Sequence, residues 1–147
     1  AILKVHPKHL DALNNLATLY FGRQDFQYSL KYFFKANIIE PGFGEGYNNV
    51  GSVYIELGDV CLSFKNYRRA IITKPEYPEA FYHIGKVFES NKDDNKNILN
   101  YRRAIQLNPS FAAAWNDLGN IERENYNLDT AAFYYRCSII SNNKYIL

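Results

Sequence analysis

The chain has 147 residues, of which 47% are apolar and 16% aromatic, enough for a packed interior and too much for a disordered chain. Its formal net charge of +2 is too small to imply a nucleic-acid partner. No apolar run approaches the roughly eighteen residues of a membrane span, so no membrane partner is expected.

No signal-peptide pattern opens the chain and it contains no Met, so we read it as an excerpt of a longer protein. Cys61 and Cys137 lie far apart, with no CxxC or Cys/His spacing. They read as reduced thiols, which suggests the cytoplasm or the nucleus.

Residues 1–6 read as the last turn of a helix, and Pro7 ends it. Prolines then recur at Pro41, Pro75 and Pro109, each 34 residues after the last. Taking these as position 32 gives four repeats, at about 10–43, 44–77, 78–111 and 112–145. Position 4 is Leu13, Tyr47, Phe81 and Trp115, and position 7 is Leu16, Val50, Ile84 and Leu118. Position 8 is always small (Ala17, Gly51, Gly85, Gly119), and position 24 is always aromatic (Phe33, Tyr67, Tyr101, Tyr135). The six residues Asn66–Ile71 recur unchanged as Asn100–Ile105, one stripe of the unit written twice.

Apolar positions 4, 7, 8 and 11, then 20, 21, 24, 27 and 28, have helical spacing, so each repeat predicts two helices, A and B. Helix B starts just after position 16, which is Asp25, Asp59, Asp93 and Asn127. These side chains accept hydrogen bonds from the first free N–H groups of a helix. Pro78 fits the first turn of the third helix A. Small residues at positions 8 and 27 let A and B approach closely. Residues 144–147 read as the start of a following unit, so neither end carries the polar cap of a finished stack.

A 34-residue helix–turn–helix unit of this pattern resembles the tetratricopeptide repeat family, over about residues 8–143. Trp115, Leu118, Gly119, Ala131, Tyr135 and Ser138 carry the resemblance. Departures are Glu122 where Tyr is usual, Ser29, Ser63 and Asn97 where Ala is usual, and Asn143 in place of Pro, which predict looser third and fourth repeats. The resemblance implies an all-α, right-handed superhelix, a solenoid of antiparallel helix pairs, forming one domain over residues 1–147. It also implies that helix A lines the concave wall.

Positions 2, 5, 6, 9, 12 and 13 lie on the face of helix A away from the core stripe. They carry seven acidic residues (Asp11, Glu45, Glu56, Glu79, Glu89, Asp117, Glu124) against two basic ones (Lys86, Arg123). Lys31, Lys35, Lys65, Arg68, Arg69, Arg102, Arg103 and Arg136 fall on helix B, predicting an acidic groove and a basic outer wall. The expected groove residues are Asn14, Asn15, Thr18, Asn48, Asn49, Ser52, Tyr82, His83, Lys86, Asn116, Asp117 and Asn120. Asn14-Asn15 and Asn48-Asn49 repeat at one-unit spacing, and a primary amide both donates to and accepts from a peptide unit. This column resembles the asparagine ladder in the repeat arm of O-linked sugar transferases, with two rungs at Asn15 and Asn49 before His83 and Asp117 interrupt it.

The expected function is a protein-interaction scaffold that binds a basic or neutral segment of a protein or peptide in the groove. One alternative is an assembly module that self-associates through its uncapped ends. Another is the substrate arm of a glycosyltransferase whose catalytic domain lies outside these residues. Binding of a chaperone's C-terminal carboxylate is not expected. The positions that class uses hold Asn14, Thr18, Asn49, Glu79 and His83, and Glu79 would repel a carboxylate. Gly42–Gly46 resembles a phosphate loop but follows no strand, and Gly46 falls on a packing position. His6, His9 and His83 have no metal-ligand spacing, and no Ser/His/Asp or Cys/His set converges, so no metal, cofactor or catalysis is expected. Tyr67 and Tyr101 fall on the core stripe and so are not placed to stack nucleic-acid bases.

Overall fold

The computed structural model describes residues 7–143. The expectations for residues 1–6, His6 among them, and for 144–147 lie outside these. Eight α-helices follow one another among the described residues: α1 (Pro7–Gly22), α2 (Phe26–Ile39), α3 (Gly44–Glu56), α4 (Val60–Thr73), α5 (Pro78–Ser90), α6 (Asp94–Leu107), α7 (Ala112–Glu124) and α8 (Leu128–Asn142). Each odd-numbered helix packs on the even-numbered helix after it, giving four A–B pairs. The chain divides into two units between Pro75 and Glu76, with two pairs in each.

Local chemistry explains the boundaries. Asp25, Asp59 and Asp93 each accept a hydrogen bond from the backbone N–H three residues on, which starts α2, α4 and α6. Asn127 does not cap α8; its amide donates instead to Glu122, at 2.8 Å. Pro78 is the first residue of α5, where its missing N–H costs nothing. α1 departs from the expected register. It begins at Pro7 itself, three residues before the expected start at 10, because the same fixed φ that ends one helix suits the first turn of another.

Close approach within a pair is set at positions 8 and 24. A Cβ on Gly51, Gly85 or Gly119 would sit 2.5–2.6 Å from ring carbons of Tyr67, Tyr101 and Tyr135 respectively. Glycine there lets the aromatic ring lie directly on the backbone of the partner helix. Ala36, Ala70 and Ala104 at position 27 are fully buried. In both copies of the repeated hexapeptide the tyrosine and alanine are buried and the two arginines are exposed. Arg69 and Arg103 lie over the rings of Tyr47 and Phe81, at 4.5 and 5.8 Å, adding a cation–π contact between helices A and B.

The first unit has a core of Ala17, Phe33, Val50 and Val53, flanked by Phe21, Phe26, Leu30, Tyr32 and Tyr54. The second has Tyr101, Ala104, Ala114, Leu118 and Ile121, flanked by Phe81, Phe111 and Tyr134. The third and fourth pairs are not looser, as their departures had implied. They pack as closely as the second pair, and the first is the most open. Where Tyr20 stacks on Tyr28 and Tyr32 in the first pair, Glu122 holds the fourth turn through Asn127.

Candidate peptide-binding site

In the first unit the expected residues come from α1 and α3. Asn14 and Asn49 meet: the Asn49 amide donates to Asn14 Oδ1 at 3.1 Å. Asn49 Oδ1 and Asn14 Nδ2 take no part in this bond, leaving one acceptor and one donor group on the pair. Asn15 is exposed beside them. Thr18 is exposed, and its hydroxyl donates to the Asn14 carbonyl of its own helix at 2.9 Å. Ser52 lies 3.3 Å from the Tyr67 hydroxyl and donates to the Asn48 carbonyl.

Asn48 corrects the sequence reading. It was expected on an open face, yet it is 4% exposed and its Oδ1 has no hydrogen-bond partner. Helix register sets the direction of a side chain, whereas its exposure depends on what packs against it.

In the second unit the residues come from α5 and α7. Tyr82 donates its hydroxyl to Asp117 at 2.9 Å. Lys86 contacts Glu89 at 2.6 Å and Asp117 at 3.5 Å. Tyr101, a core residue of α6, reaches its hydroxyl to the same Glu89 oxygen at 2.6 Å. Five side chains thus form one connected charged cluster. Burial alone would raise the Glu89 carboxyl, but the bonds from Lys86 and Tyr101 outweigh it and hold it below the usual range. Burial and the neighbouring carboxylates push the Tyr82 and Tyr101 hydroxyls up, so both stay protonated donors. Burial pushes His83 down to about 4, leaving its ring neutral near pH 7. Asn120 accepts from the Tyr135 hydroxyl at 2.9 Å, and Asn116 is exposed.

The expected ladder is therefore cross-linked from within. Position 5 of one pair bonds position 6 of the next pair in each unit: Asn49 donates to Asn14, and Tyr82 to Asp117. Glu89 and the Tyr101 hydroxyl were missed as site residues. Glu89 stood on the stated face, and nothing in the repeat pattern shows that a core ring ends in a hydroxyl long enough to reach it. The acidic excess is also partly neutralised, because Glu45 pairs with Lys74 and Lys86 pairs with two carboxylates. Burial would raise Glu45, but the Lys74 bond lowers it below its ordinary value. All eight expected basic residues of helix B are exposed. Among the described residues no group of three His, Cys, Asp or Glu side chains could hold a metal.

Family models for the tetratricopeptide repeat match residues 78–111 and 100–133. Residues 78–133 thus carry tetratricopeptide repeats. A crystal structure of MamA is similar over 95% of this chain and 82% of its own, at 22% identity and a TM-score of 0.76. A second MamA crystal structure matches 99% of this chain and 81% of its own, at 23% identity and a TM-score of 0.74. The first TPR of Spaghetti (RPAP3), bound to the HSP90 peptide SRMEEVD, matches 84% of this chain and 98% of its own, at 18% identity and a TM-score of 0.73. A comparison with curated proteins returned no match. The all-α fold is shared with these structures, and the repeat matches support an interaction scaffold as the class of this chain. No helix among its described residues is long and apolar enough to cross a membrane.

Proposed function

We propose that this protein binds an extended segment of a partner protein along the A-helix faces of its repeats. The observation that carries this reading is the Asn14–Asn49 pair. The pair keeps one amide donor, on Asn14, and one carbonyl acceptor, on Asn49, outside its own bond, the two functions a peptide unit requires. The second unit adds selectivity for charge. Asp117 and Glu89 outnumber Lys86, which favours a basic residue in the bound segment. A chaperone carboxylate tail does not suit the face, because Glu79 stands where that class needs a cation.

The test is capture from a cell lysate by the wild-type chain and by an N14A/N15A/N49A variant. Asn48 is left out because it is buried. The partners retained by the wild type are expected to be lost from the variant, with its circular dichroism melt lowered only slightly and still cooperative. Retention of the same partners by a folded variant sinks the reading. A second reading, assembly, is favoured by α8, where Leu128, Phe133, Ile139 and Ile140 are all exposed. Sedimentation of the purified chain across concentrations separates the two, since only assembly raises its mass without a partner.

A further inference from the structure

A hollow of about 370 Å³ opens in the first unit between α2 and α4. Phe34, Asn37 and Ile38 of α2, Tyr47 of α3, and Asn66 and Arg69 of α4 line it. Its size is at the small end of ligand pockets, which start at roughly 300 Å³. None of its lining residues is acidic.

Asn37 is the unusual member. It is 7% exposed, and neither its amide nitrogen nor its amide oxygen has a hydrogen-bond partner. Buried amides are ordinarily paired, because leaving water without a partner is costly. The other three pairs place Ile71, Ile105 and Ile139 at this position. Opposite Asn37 stands Gly46, where the other helices A carry Ala12, Ala80 and Ala114. A Cβ on Gly46 would collide with the Asn37 amide and the Phe43 ring. Two departures from the repeat therefore meet in one contact, and together they fit an amide into a wall that is elsewhere apolar.

Arg69 supplies the charge. Its guanidinium lies 4.5 Å above the Tyr47 ring, and among the described residues no carboxylate pairs with it. The stack fixes its plane and leaves its donors free for a carboxylate. Lys65 and Arg68 stand beside it on α4, around an adjoining hollow of about 570 Å³.

We propose that this hollow is a second binding site, for an acidic segment of a partner protein. A carboxylate of the segment pairs with Arg69. An apolar side chain lies against Phe34 and Ile38, and a peptide group takes both the donor and the acceptor of Asn37. The site is separate from the A-helix face and opposite to it in charge preference.

The probe is a fluorescein-labelled hexapeptide of alternating aspartate and phenylalanine, blocked at both ends and read by fluorescence anisotropy on the whole chain. Saturable binding is expected. Asn37→Ile and Arg69→Gln should each weaken it at least tenfold, whereas Arg102→Gln and N14A/N15A/N49A should change it less than twofold. Asn37→Ile installs the residue carried by the other pairs, and Arg69 is exposed, so both variants should keep the wild-type melt. Undiminished affinity in Asn37→Ile overturns the proposal, since the amide would then serve only internal packing or water. Equal loss in Arg102→Gln, or no saturable binding, overturns it as well.

Discussion

Asn14 and Asn49 stand in the first unit at the register positions that Tyr82 and Asp117 hold in the second. The two links close at 3.1 and 2.9 Å, so the bridge between successive A helices belongs to the repeat geometry, not to one pair of side chains. What is hung on that bridge differs. The first unit offers neutral amides that can meet any peptide unit. The second ties its bridge into Lys86, Glu89 and Tyr101, fixing charges whose strength depends on salt and pH.

The largest expected effect lies beneath that difference. In the first pair Ala17 accepts Phe33, a ring without a hydroxyl. In the third, Gly85 faces Tyr101, and an added Cβ would lie 2.5 Å from the ring. Tyr101 is tethered to Glu89 and so is not free to retreat. Gly85→Ala should destabilise the protein by about 3 kcal/mol, the upper part of the range for an overpacked core. In a Tyr101→Phe background the same change should cost about 1 kcal/mol less, because the ring has lost its tether. Urea unfolding of the four proteins measures this, and additive costs would break the comparison.

Next comes His83, which occupies the register position of Asn49. The amide does not titrate, whereas burial pushes the His83 imidazole down to about 4 from its ordinary value near 6.5. The unfolded chain therefore takes up a proton between these values while the folded chain does not. Stability is fully present above about pH 6.5 and is lost as pH falls toward 4, at up to about 1.4 kcal/mol per pH unit. His83→Gln should flatten thermal stability between pH 7 and 5. An unchanged slope would assign the loss to other groups. Glu89, held below its ordinary value, adds a further loss of the same sign only at lower pH.

Much of this was legible because repetition multiplies each weak signal by four. Aspartates at position 16 in three copies, glycines opposite tyrosines in three, and prolines after three of the four B helices all follow from chain geometry that any single copy would leave ambiguous. The face chemistry was less legible. Position 5 is half-buried at Asn14 and Tyr82, buried at Asn48 and exposed at Asn116, although all four share one angle on the helix. Accessibility depends on the size of side chains 30 or more residues away, and a period cannot encode that. Asn37 did leave a trace, an amide in a column of isoleucines opposite a glycine in a column of alanines. Read one column at a time, neither departure reveals the other.

The smallest effects test the bridge itself. Asp117→Ala removes the acceptor from Tyr82 and one of the two carboxylates near Lys86, on a side chain that is only 13% exposed. A hydrogen bond to a charged group, lost with its donor left half-covered, should cost about 1.5 kcal/mol. Asn49→Ala breaks a neutral amide bond whose partner can turn to water, and should cost about 0.5 kcal/mol. Salt separates them further. At 1 M salt the screening length shrinks to about 3 Å, so the Asp117→Ala penalty should fall by a few tenths of a kcal/mol. The Asn49→Ala penalty should not move. Chemical denaturation in urea, at low and high sodium chloride, reads both. If the two penalties respond alike to salt, the second unit's cluster is no more electrostatic than the first unit's amides. The choice of a basic residue by Asp117 and Glu89 would then lose its physical basis.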